Sequence, residues 1–290
     1  MKLANKWKDY VVLATGESNK LERWGNTMLL RPDPQVIWGE RTTLAKYNGL
    51  HAIYTRDISG GGKWDILRQF AQEWVIEYPL GKHQLKLIVK PMGFKHTGVF
   101  PEQAVNWDLM YNLISNRSQC ADCVPRVLNL FGYTGAASVA CAIAGGKVVH
   151  VDAAKNMVHT CRQNAQLNGI SDIRYIVDDC NKFVEREIRR GNKYDCIIMD
   201  PPSYGRGPNN EPWKLTDNIC GLVSNAAQLL SDNPIFFVIN SYTTGLQPSV
   251  LQNLLNIYLP SGQVQAYELA LPTQEDRIIL PCGCSAIWTR

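Results

Sequence analysis

The sequence predicts an α/β fold: a doubly wound, seven-stranded, mostly parallel sheet that ends in an antiparallel hairpin and follows a small β-rich domain. From about residue 102, near-continuous apolar stretches alternate with helical segments, the pattern of a parallel sheet covered on both faces. Only a loop separates the last two stretches, residues 263–271 and 278–288, so they are expected to pair antiparallel. Residues 1–95 instead show short alternating runs broken by turn sequences. We therefore expect domains 1–95 and 96–290.

The hydrophobic periodicity predicts the individual elements. A helix over residues 102–114 leads into the second domain, and a helix over residues 248–259 precedes the terminal hairpin. The strands of the second domain are RVLNLFG, KVVHVD, IRYIVDD, YDCIIMD, PIFFVINSY, QVQAYELAL and IILPCGCSAIW. The helices between them begin near Ala136, Ala153, Asn181 and Lys214. The strands of residues 1–95 are DYVVLAT, NTMLLR, LHAIYTR, EWVIEYP and HQLKLIVKP.

The composition is that of an ordinary globular chain, with 45% apolar and 19% charged residues. It contains no apolar stretch of the roughly 20 residues that span a bilayer, and the first residues lack the apolar core of a secretion signal. We therefore predict a cytoplasmic protein without a membrane partner. Nine scattered cysteines suit a reducing compartment. The close pairs Cys120 with Cys123 and Cys282 with Cys284 could supply four zinc ligands, but buried free thiols are the favoured interpretation and no metal is expected.

The basic residues are concentrated in the N-terminal part of the chain. Residues 1–100 hold 15 Lys/Arg and 9 Asp/Glu, and residues 101–290 hold 15 and 17, for a net charge of +4. A basic module of this kind suits a phosphate backbone, although scattered lysines also form solvated faces. The aromatic residues there could stack on bases or simply fill a core. Arg206 and the N-terminal lysines are likewise either phosphate contacts or solvated surface.

The residues with the clearest chemistry follow the predicted strands. Phe131-Gly-Tyr-Thr-Gly135 joins the first strand to a helix rich in small residues, and its glycines allow a tight turn and close approach of a ligand to the main chain. The second strand ends at Asp152, 17 residues after Gly135, where a carboxylate can accept both ribose hydroxyls of an adenosine or simply cap the next helix. Asp179 after the third strand can accept from an adenine amino group or act only as a cap.

The most specific motif is Asp200-Pro-Pro-Ser-Tyr204, after the fourth strand. Two prolines make a rigid, extended turn at the carboxyl end of a buried strand, where ligands bind in open α/β sheets. This turn fixes the Asp200 carboxylate and the Pro201 carbonyl, and Tyr204 can lie over a planar base. Residues 205–210 are expected to form a flexible polar loop over it.

These motifs together resemble class I S-adenosylmethionine-dependent methyltransferases. HTGVFPEQ, NLFGYTGAAS, VDAAKNMV, DDCNKF and DPPSYGRG resemble, in order and spacing, the bacterial family that methylates bases of large-subunit ribosomal RNA. The resemblance covers about residues 90–290. It implies S-adenosylmethionine as cofactor and an RNA, most plausibly ribosomal, as partner. Family members commonly carry a further RNA-binding module, to which nothing in residues 1–95 clearly corresponds.

The resemblance also implies roles for individual residues. Phe100 and Gln103 would line the cofactor pocket, although they could equally form a domain junction without ligand contact. The implied cofactor-binding set is Phe100, Gln103, Asn129, Phe131, Gly132, Tyr133, Thr134, Gly135, Asp152, Ala153, Asp179, Cys180 and Asp200, with residues 131–135 at the methionine portion, Asp152 at the ribose and Asp179 at the adenine. Asp200, Pro201 and Tyr204 form the implied catalytic set.

One departure from the family bears on the reaction. Members that methylate carbon 5 of a pyrimidine use a nucleophilic cysteine after the fourth or fifth strand, because that carbon must first be activated by covalent addition. The corresponding stretches, residues 200–203 and 240–243, contain no cysteine. We therefore expect direct in-line transfer to a base nitrogen. Two alternatives stay open: a methyltransferase acting on a protein side chain or small molecule, and a nucleotide-binding oxidoreductase or silent binding domain, against which the missing G-x-G-x-x-G and the intact acidic positions argue.

Overall fold

The computed structural model of the protein describes residues 1–57, 61–118, 124–206 and 212–290. They form two compact units. Unit 1 comprises Met1 with residues 106–268 and 283–290, and unit 2 comprises residues 2–105 and 269–282. Unit 2 thus extends past residue 95 and takes in part of the terminal hairpin. The functional division into 1–95 and 96–290 stays a prediction.

The secondary structure begins with strands and continues as alternating strands and helices. The strands up to residue 89 are β1 (Lys2–Leu3), β2 (Tyr10–Gly16), β3 (Asn19–Trp24), β4 (Thr27–Pro32), β5 (Ala52–Arg56), β6 (Gly62–Ile66), β7 (Trp74–Leu80) and β8 (His83–Val89). Leu44–Lys46 and Pro101–Gln103 form short 3₁₀ helices. The chain then forms α1 (Ala104–Ser118), β9 (Arg126–Leu130), α2 (Ala136–Ile143), β10 (Lys147–Asp152), α3 (Lys155–Leu167), β11 (Arg174–Val177), α4 (Cys180–Arg189), β12 (Cys196–Met199), β13 (Tyr204–Arg206), β14 (Pro212–Lys214), α5 (Leu215–Ala227), β15 (Phe236–Ser241), α6 (Pro248–Tyr258), β16 (Gln263–Pro272) and β17 (Ile279–Thr289).

Unit 2 contains a five-stranded sheet, β2-β3-β4-β5-β6, and a separate hairpin of β7 and β8. All neighbours in the larger sheet are antiparallel except β4 and β5, which run parallel. The turn between β2 and β3 is tight because Glu17 and Ser18 both have positive φ, at 48° and 60°, the conformation of two-residue hairpin loops. Part of the core is a cluster of leucines: Leu21, Leu30, Leu44 and Leu50.

A buried ion pair crosses this sheet from β3 to β4. Arg31 donates to both carboxylate oxygens of Glu22, from Nε at 2.6 Å and from Nη2 at 2.8 Å. The Tyr10 hydroxyl donates to the same carboxylate at 2.6 Å. Glu22 is fully buried, so β3 carries a charged residue where an alternating pattern predicts an apolar one. This is why the sequence prediction missed β3.

Unit 1 is built on a sheet in the order β16-β17-β15-β12-β9-β10-β11. Strands β15, β12, β9, β10 and β11 run parallel to their neighbours, and β17 runs antiparallel to β15. One apolar cluster includes side chains from these strands and from helices α4, α5 and α6. The strand order continues past β16 with β1, which pairs in parallel with Leu269 and Ala270. The predicted fold class is confirmed, with β1 as an addition that two residues could not signal.

A buried polar network within unit 1 ties α1 to the sheet. The Asn106 amide on α1 donates to Asn240 Oδ1 on β15 at 3.0 Å and to Ser285 Oγ on β17 at 2.9 Å. The Tyr267 hydroxyl on β16 donates to Asn106 Oδ1 at 2.7 Å. Because buried hydrogen-bonded groups strongly favour one arrangement, the network fixes the carboxyl end of β15, which leads into residues 241–243.

Candidate active site

The predicted site residues of unit 1 gather at the carboxyl ends of β9 and β12. These strands are neighbours, with Leu130 opposite Met199. From β9 the chain continues outward through β10 and β11 in one direction, whereas β12 and β15 lie on the other side. Such a reversal of strand order opens a crevice in which open α/β sheets bind ligands. The loop at residues 131–135 and the turn at residues 200–204 flank this switch point.

The loop at residues 131–135 has a strained backbone. Phe131, Tyr133 and Gly135 have φ values of 56°, 52° and 83°, in the left-handed region that is costly for residues other than glycine. Backbone amides hold this shape. Phe131 N donates to the Cys180 thiol sulfur at 3.2 Å, Gly132 N to the Val151 carbonyl at 3.0 Å, and Tyr133 N to Asp152 Oδ2 at 2.8 Å. The loop is therefore pre-organised by β10 and α4.

Packing requires the two glycines of the loop. A Cβ atom at Gly132 would overlap the imidazole ring of His150, and one at Gly135 would overlap the thiol of Cys161. Sequence reasoning attributed these glycines to close ligand approach. The space that a side chain would need is filled by protein instead, so their first role is to seat the loop on β10 and α3.

His150 belongs to a buried polar chain beneath the loop. Asn129 donates to Ser138 Oγ at 2.8 Å, and Ser138 Oγ lies 2.9 Å from His150 Nδ1. Burial lowers the pKa of His150 to about 4, so the imidazole is neutral at physiological pH. Asn129 is itself buried. Its side chain therefore supports the loop and the start of α2 from below.

Asp152 links the loop to the next helix. Its Oδ2 accepts from Tyr133 N, and its Oδ1 accepts from Ala154 N at 2.8 Å. Burial raises the pKa of Asp152, while the two backbone hydrogen bonds oppose that shift. Each oxygen of an ionised carboxylate can accept a further hydrogen bond. The capping and ligand-binding interpretations are therefore compatible at this residue, and exposed Ala153 follows it.

The acidic pair after β11 has divided roles. Asp178 forms an ion pair with Arg186. Asp179 caps α4, its Oδ1 accepting from Lys182 N at 2.9 Å, and among the described residues no hydrogen-bond donor contacts its Oδ2. Cys180 is buried, and desolvation raises the pKa of its thiol. The thiol therefore supports the 131–135 loop rather than facing a ligand.

The turn after β12 is fastened to two neighbouring segments. Trp213 Nε1 donates to the Pro202 carbonyl at 2.8 Å, and Leu215 N donates to the Ser203 carbonyl at 3.0 Å. The Thr243 hydroxyl, after β15, donates to Ser203 Oγ at 2.7 Å. Pro201 is buried. The two loops that would carry the nucleophilic cysteine of a carbon-5 enzyme are thus joined by a hydroxyl pair.

Aromatic side chains line the outer part of this region. Tyr204 is 71% exposed, and the rings of Phe131 and Trp213 lie 6.0 Å apart between centroids. Residues 204–206 pair antiparallel with 212–214 as strands β13 and β14. The flexible loop predicted at residues 205–210 is therefore wrong for residues 205 and 206, and residues 207–210 lie outside the described residues.

The match to a protein-family model now decides the family. Residues 69–232, more than half of the 290-residue chain, match the model of S-adenosylmethionine-dependent methyltransferases. The chain belongs to this family.

Similarity to known proteins agrees with this assignment. A crystal structure of an S-adenosylmethionine-dependent methyltransferase from Agrobacterium tumefaciens is 31% identical, with a TM-score of 0.88 covering 98% of this chain and 91% of that chain. A candidate S-adenosylmethionine-dependent methyltransferase from Streptococcus mutans has the same fold, at 17% identity and a TM-score of 0.72 over 98% of this chain and 76% of that one.

Curated relatives match a shorter region. Ribosomal RNA large subunit methyltransferase I from Klebsiella pneumoniae is 35% identical over 130 residues, which is 43% of this chain and 30% of that protein. The match thus spans less than a third of the curated relative. The predicted family, fold, enzyme class and cofactor are confirmed for this methyltransferase, and the oxidoreductase alternative is contradicted.

Two predicted cofactor residues of the methyltransferase lie in unit 2. Phe100 precedes the 3₁₀ helix at Pro101–Gln103, and its carbonyl accepts from Gln103 N at 3.1 Å. Gln103 is buried, and the Phe100 ring lies 5.3 Å from that of His96. The proposed contact of both residues with the cofactor stays a prediction.

The structure also bears on the predicted metal and membrane partners. Within the described ranges, no group of three or more His, Cys, Asp or Glu side chains could hold a metal ion. Cys120 and Cys123 lie outside those ranges, so the zinc alternative is untested. In the same ranges, each helix is too short or too polar to cross a membrane.

Sequence reasoning missed several residues of the methyltransferase site. His150 and Ser138 were missed because they act from beneath the loop, and Trp213 and Thr243 because they act across loops. Only His150 carried a signal, since a histidine inside the otherwise apolar strand β10 must find polar partners.

Replacing Thr243 by valine removes the hydroxyl that joins the two loops and keeps the shape of the side chain. We expect the free energy of unfolding to fall by about 0.5–1.5 kcal/mol, the usual net value of one hydrogen bond. Urea denaturation measures this change. Thr243→Ser, which keeps the donor, should stay within about 0.5 kcal/mol of wild type, and an equal loss in both variants would contradict the role of the hydroxyl pair.

Proposed function

We propose that this methyltransferase transfers a methyl group from S-adenosylmethionine to a base nitrogen of ribosomal RNA by direct in-line displacement. The observation that carries the proposal is the position of the Asp200–Tyr204 turn beside the 131–135 loop, with an exposed aromatic ring at its end. The name of the curated relatives, ribosomal RNA large subunit methyltransferase I, supports the substrate class. Such a substrate suits a cytoplasmic enzyme.

The chain's own residues fit the cofactor. Residues 131–135 would face its methionine portion, and Asp152 would accept both ribose hydroxyls with the acceptor positions that Tyr133 and Ala154 leave. Asp179 would accept from the adenine amino group through Oδ2. The remaining proposed contacts come from neighbouring residues: Phe100, Gln103, Asn129, Ala153, Cys180 and Asp200.

The acceptor base would be held by the turn after β12. Bound S-adenosylmethionine supplies an electrophilic methyl carbon. The Asp200 carboxylate and the Pro201 carbonyl would accept hydrogen bonds from an amino group of the base, aiming its nitrogen lone pair at that carbon. Tyr204 would cover the face of the base. After the new N–C bond forms, the displaced proton would pass to the Asp200 carboxylate and then to water.

A covalent route through the enzyme does not fit these residues. Addition to a ring carbon needs a strong nucleophile, and cysteine is the usual one for pyrimidines. The hydroxyl groups that stand in the corresponding loops, Ser203 and Thr243, hydrogen-bond to each other, and among the described residues neither hydroxyl bonds to a histidine or a carboxylate. A nitrogen lone pair needs no such activation, so the proposal is transfer to nitrogen.

Transfer of labelled methyl groups tests the substrate class. The purified enzyme is incubated with labelled S-adenosylmethionine and with ribosomal RNA, ribosomal subunits or total protein from a strain lacking this gene. We expect label that is released by nuclease and retained after protease. Label only in protein, or label in neither macromolecule despite measurable cofactor binding, would move the acceptor to a side chain or a small molecule.

Asp200→Asn tests the role of the carboxylate in the same assay. Because the amide cannot take up a proton, we expect turnover to fall by about 100-fold, the lower range for loss of a general base. Cofactor affinity, measured by calorimetry, should change by less than about threefold. Asp232→Asn is the matched control, since Asp232 is exposed and lies on the loop before β15. Equal turnover in the two variants would contradict the role of Asp200.

A further inference from the structure

Four cationic side chains surround a short segment of unit 2. Residues 92–96 form a turn in which Met92 N donates to the His96 carbonyl at 3.0 Å. Two neighbouring strands hold this turn. Trp64 Nε1 on β6 donates to the Met92 carbonyl at 2.9 Å, and Arg31 Nη1 on β4 donates to the Lys95 carbonyl at 2.8 Å. Lys95 is thus set in a fixed backbone.

The charges around Lys95 do not balance. Lys20, Arg31 and Arg56 all disfavour a positive charge on Lys95, while Asp33 favours it. The two nearby acids are already engaged. Arg31 takes both oxygens of Glu22, and Lys20 lies 3.1 Å from Asp33 Oδ2.

Lys95 and Arg56 are therefore the cations of this group left over. The Lys95 ammonium donates to the Pro32 carbonyl at 3.2 Å, and within the described part of the chain neither Lys95 nor Arg56 forms an ion pair. The next residue, Asp57, turns one oxygen to Gly61 N at 2.9 Å. Burial first, and then the three neighbouring cations, lower the pKa of Lys95 to about 8. An anion bound between these cations would relieve the imbalance.

The surface beside them suits a nucleic acid. Arg56 ends β5 in an exposed position, and Phe94, next to Lys95, is 65% exposed. A cation pair beside an exposed aromatic ring is the combination that binds a phosphate and stacks an adjacent base. His96, on the other side of Lys95, is held neutral because burial lowers its pKa to about 4, so it adds no charge.

We propose that Lys95 and Arg56 form a phosphate-binding site for the RNA substrate on unit 2, with Phe94 stacking on an adjacent base. The proposal rests on the RNA methyltransferase function proposed above. It assigns the basic character of the N-terminal residues to a defined pair rather than to general surface charge. Lys20 and Arg31 stay with their carboxylates and contribute from behind.

The test measures RNA affinity as a function of salt. The probe is a fluorescein-labelled single-stranded RNA of mixed sequence, followed by anisotropy with full-length protein. We expect Lys95→Gln with Arg56→Gln to weaken binding about tenfold or more and to lower the slope of log K against log salt by about 1–2, one for each phosphate that the variant no longer binds. Phe94→Ala should weaken binding about fivefold or more without changing the slope, within the range for loss of one stacked base.

Controls separate this site from general electrostatics. Lys63→Gln removes a cation from neighbouring β6 that is already paired with Asp65 at 3.2 Å, and it should leave affinity within about twofold. Arg56→Gln alone guards against misfolding because Arg56 is exposed. Thermal unfolding should be unchanged or improved in Lys95→Gln, since the substitution removes a crowded charge. S-adenosylhomocysteine affinity should match wild type in all these variants.

The outcomes distinguish this proposal from the one beneath it. If wild type binds RNA and the double variant binds equally well, or if Lys63→Gln is as damaging, the phosphate site is wrong and the RNA methyltransferase stands. A drop in cofactor affinity in place of RNA affinity also overturns the site. If wild type binds no RNA and labels only protein, both proposals fail. Displacement of the RNA probe by polyglutamate at equal charge concentration would indicate an acidic protein ligand and would overturn the RNA assignment.

Discussion

Asp152→Ala should weaken the binding of S-adenosylhomocysteine by about 100-fold, which corresponds to roughly 2.7 kcal/mol. Two effects add. The variant lacks the acceptors proposed for the ribose hydroxyls, at about 1.5–3 kcal/mol for a hydrogen bond to a charged group. It also releases Tyr133 N, and with it the strained backbone of the 131–135 loop.

Two further variants separate these contributions. Asp152→Asn keeps one acceptor oxygen and the size of the side chain, so its affinity should lie between those of wild type and Asp152→Ala. Asp172→Ala removes an exposed carboxylate from the loop before β11 and should bind as wild type does. Isothermal titration calorimetry gives all three affinities. The ribose assignment is wrong if Asp152→Ala binds S-adenosylhomocysteine as tightly as Asp172→Ala.

The sheet of unit 1 was predictable because its strands are uniformly apolar. Buried parallel strands carry apolar residues on both faces, so β9, β10, β12 and β15 stand out in the sequence, and their order follows from the alternation with helices. Strand β3 did not stand out because Glu22 faces inward. Its apolar environment depends on Arg31, and nothing local to β3 reveals that partner.

The candidate site was predictable to the extent that its residues follow strands directly. Asp152, Asp179 and Asp200 each follow the end of a parallel strand, so topology alone brings them to one edge of the sheet. The supporting residues depend on contacts across the chain. Thr243 meets Ser203 over 40 positions, and Cys180 meets Phe131 over 49. Pairings of this kind depend on loop geometry, which a single sequence does not encode in any local pattern.

Glu22→Gln should lower the free energy of unfolding by about 3–5 kcal/mol, the usual cost of removing one partner from a buried ion pair. The variant leaves the guanidinium of Arg31, which is also buried, without its counter-charge. It also takes a charged acceptor from the Tyr10 hydroxyl. Glu77→Gln is the matched control, because Glu77 pairs with Lys86 at 4.0 Å in an exposed position and should cost less than about 1 kcal/mol.

The pH dependence of stability gives a second, independent measurement of the same pair. Burial alone would raise the pKa of Glu22, but the charges of Arg31 and Lys20 and the hydrogen bonds from Arg31 and Tyr10 outweigh it and lower the pKa to about 2. A lowered pKa in the folded state means that the stabilisation is complete above the ordinary value of 4.5 and is lost as the pH falls from there towards 2. In urea titrations over this range, wild type should therefore lose stability more steeply than Glu22→Gln.

Replacing the pair together distinguishes a lost attraction from a lost shape. Glu22→Leu with Arg31→Met removes both charges and fills similar volume, so no buried charge is left without a partner. We expect this double variant to recover at least half of the stability that Glu22→Gln loses, because well-packed apolar residues often replace buried ion pairs without loss. A double variant as unstable as the single one would show instead that the pair, with Lys20 and Asp33 beside it, is required for the packing of β3 against β4.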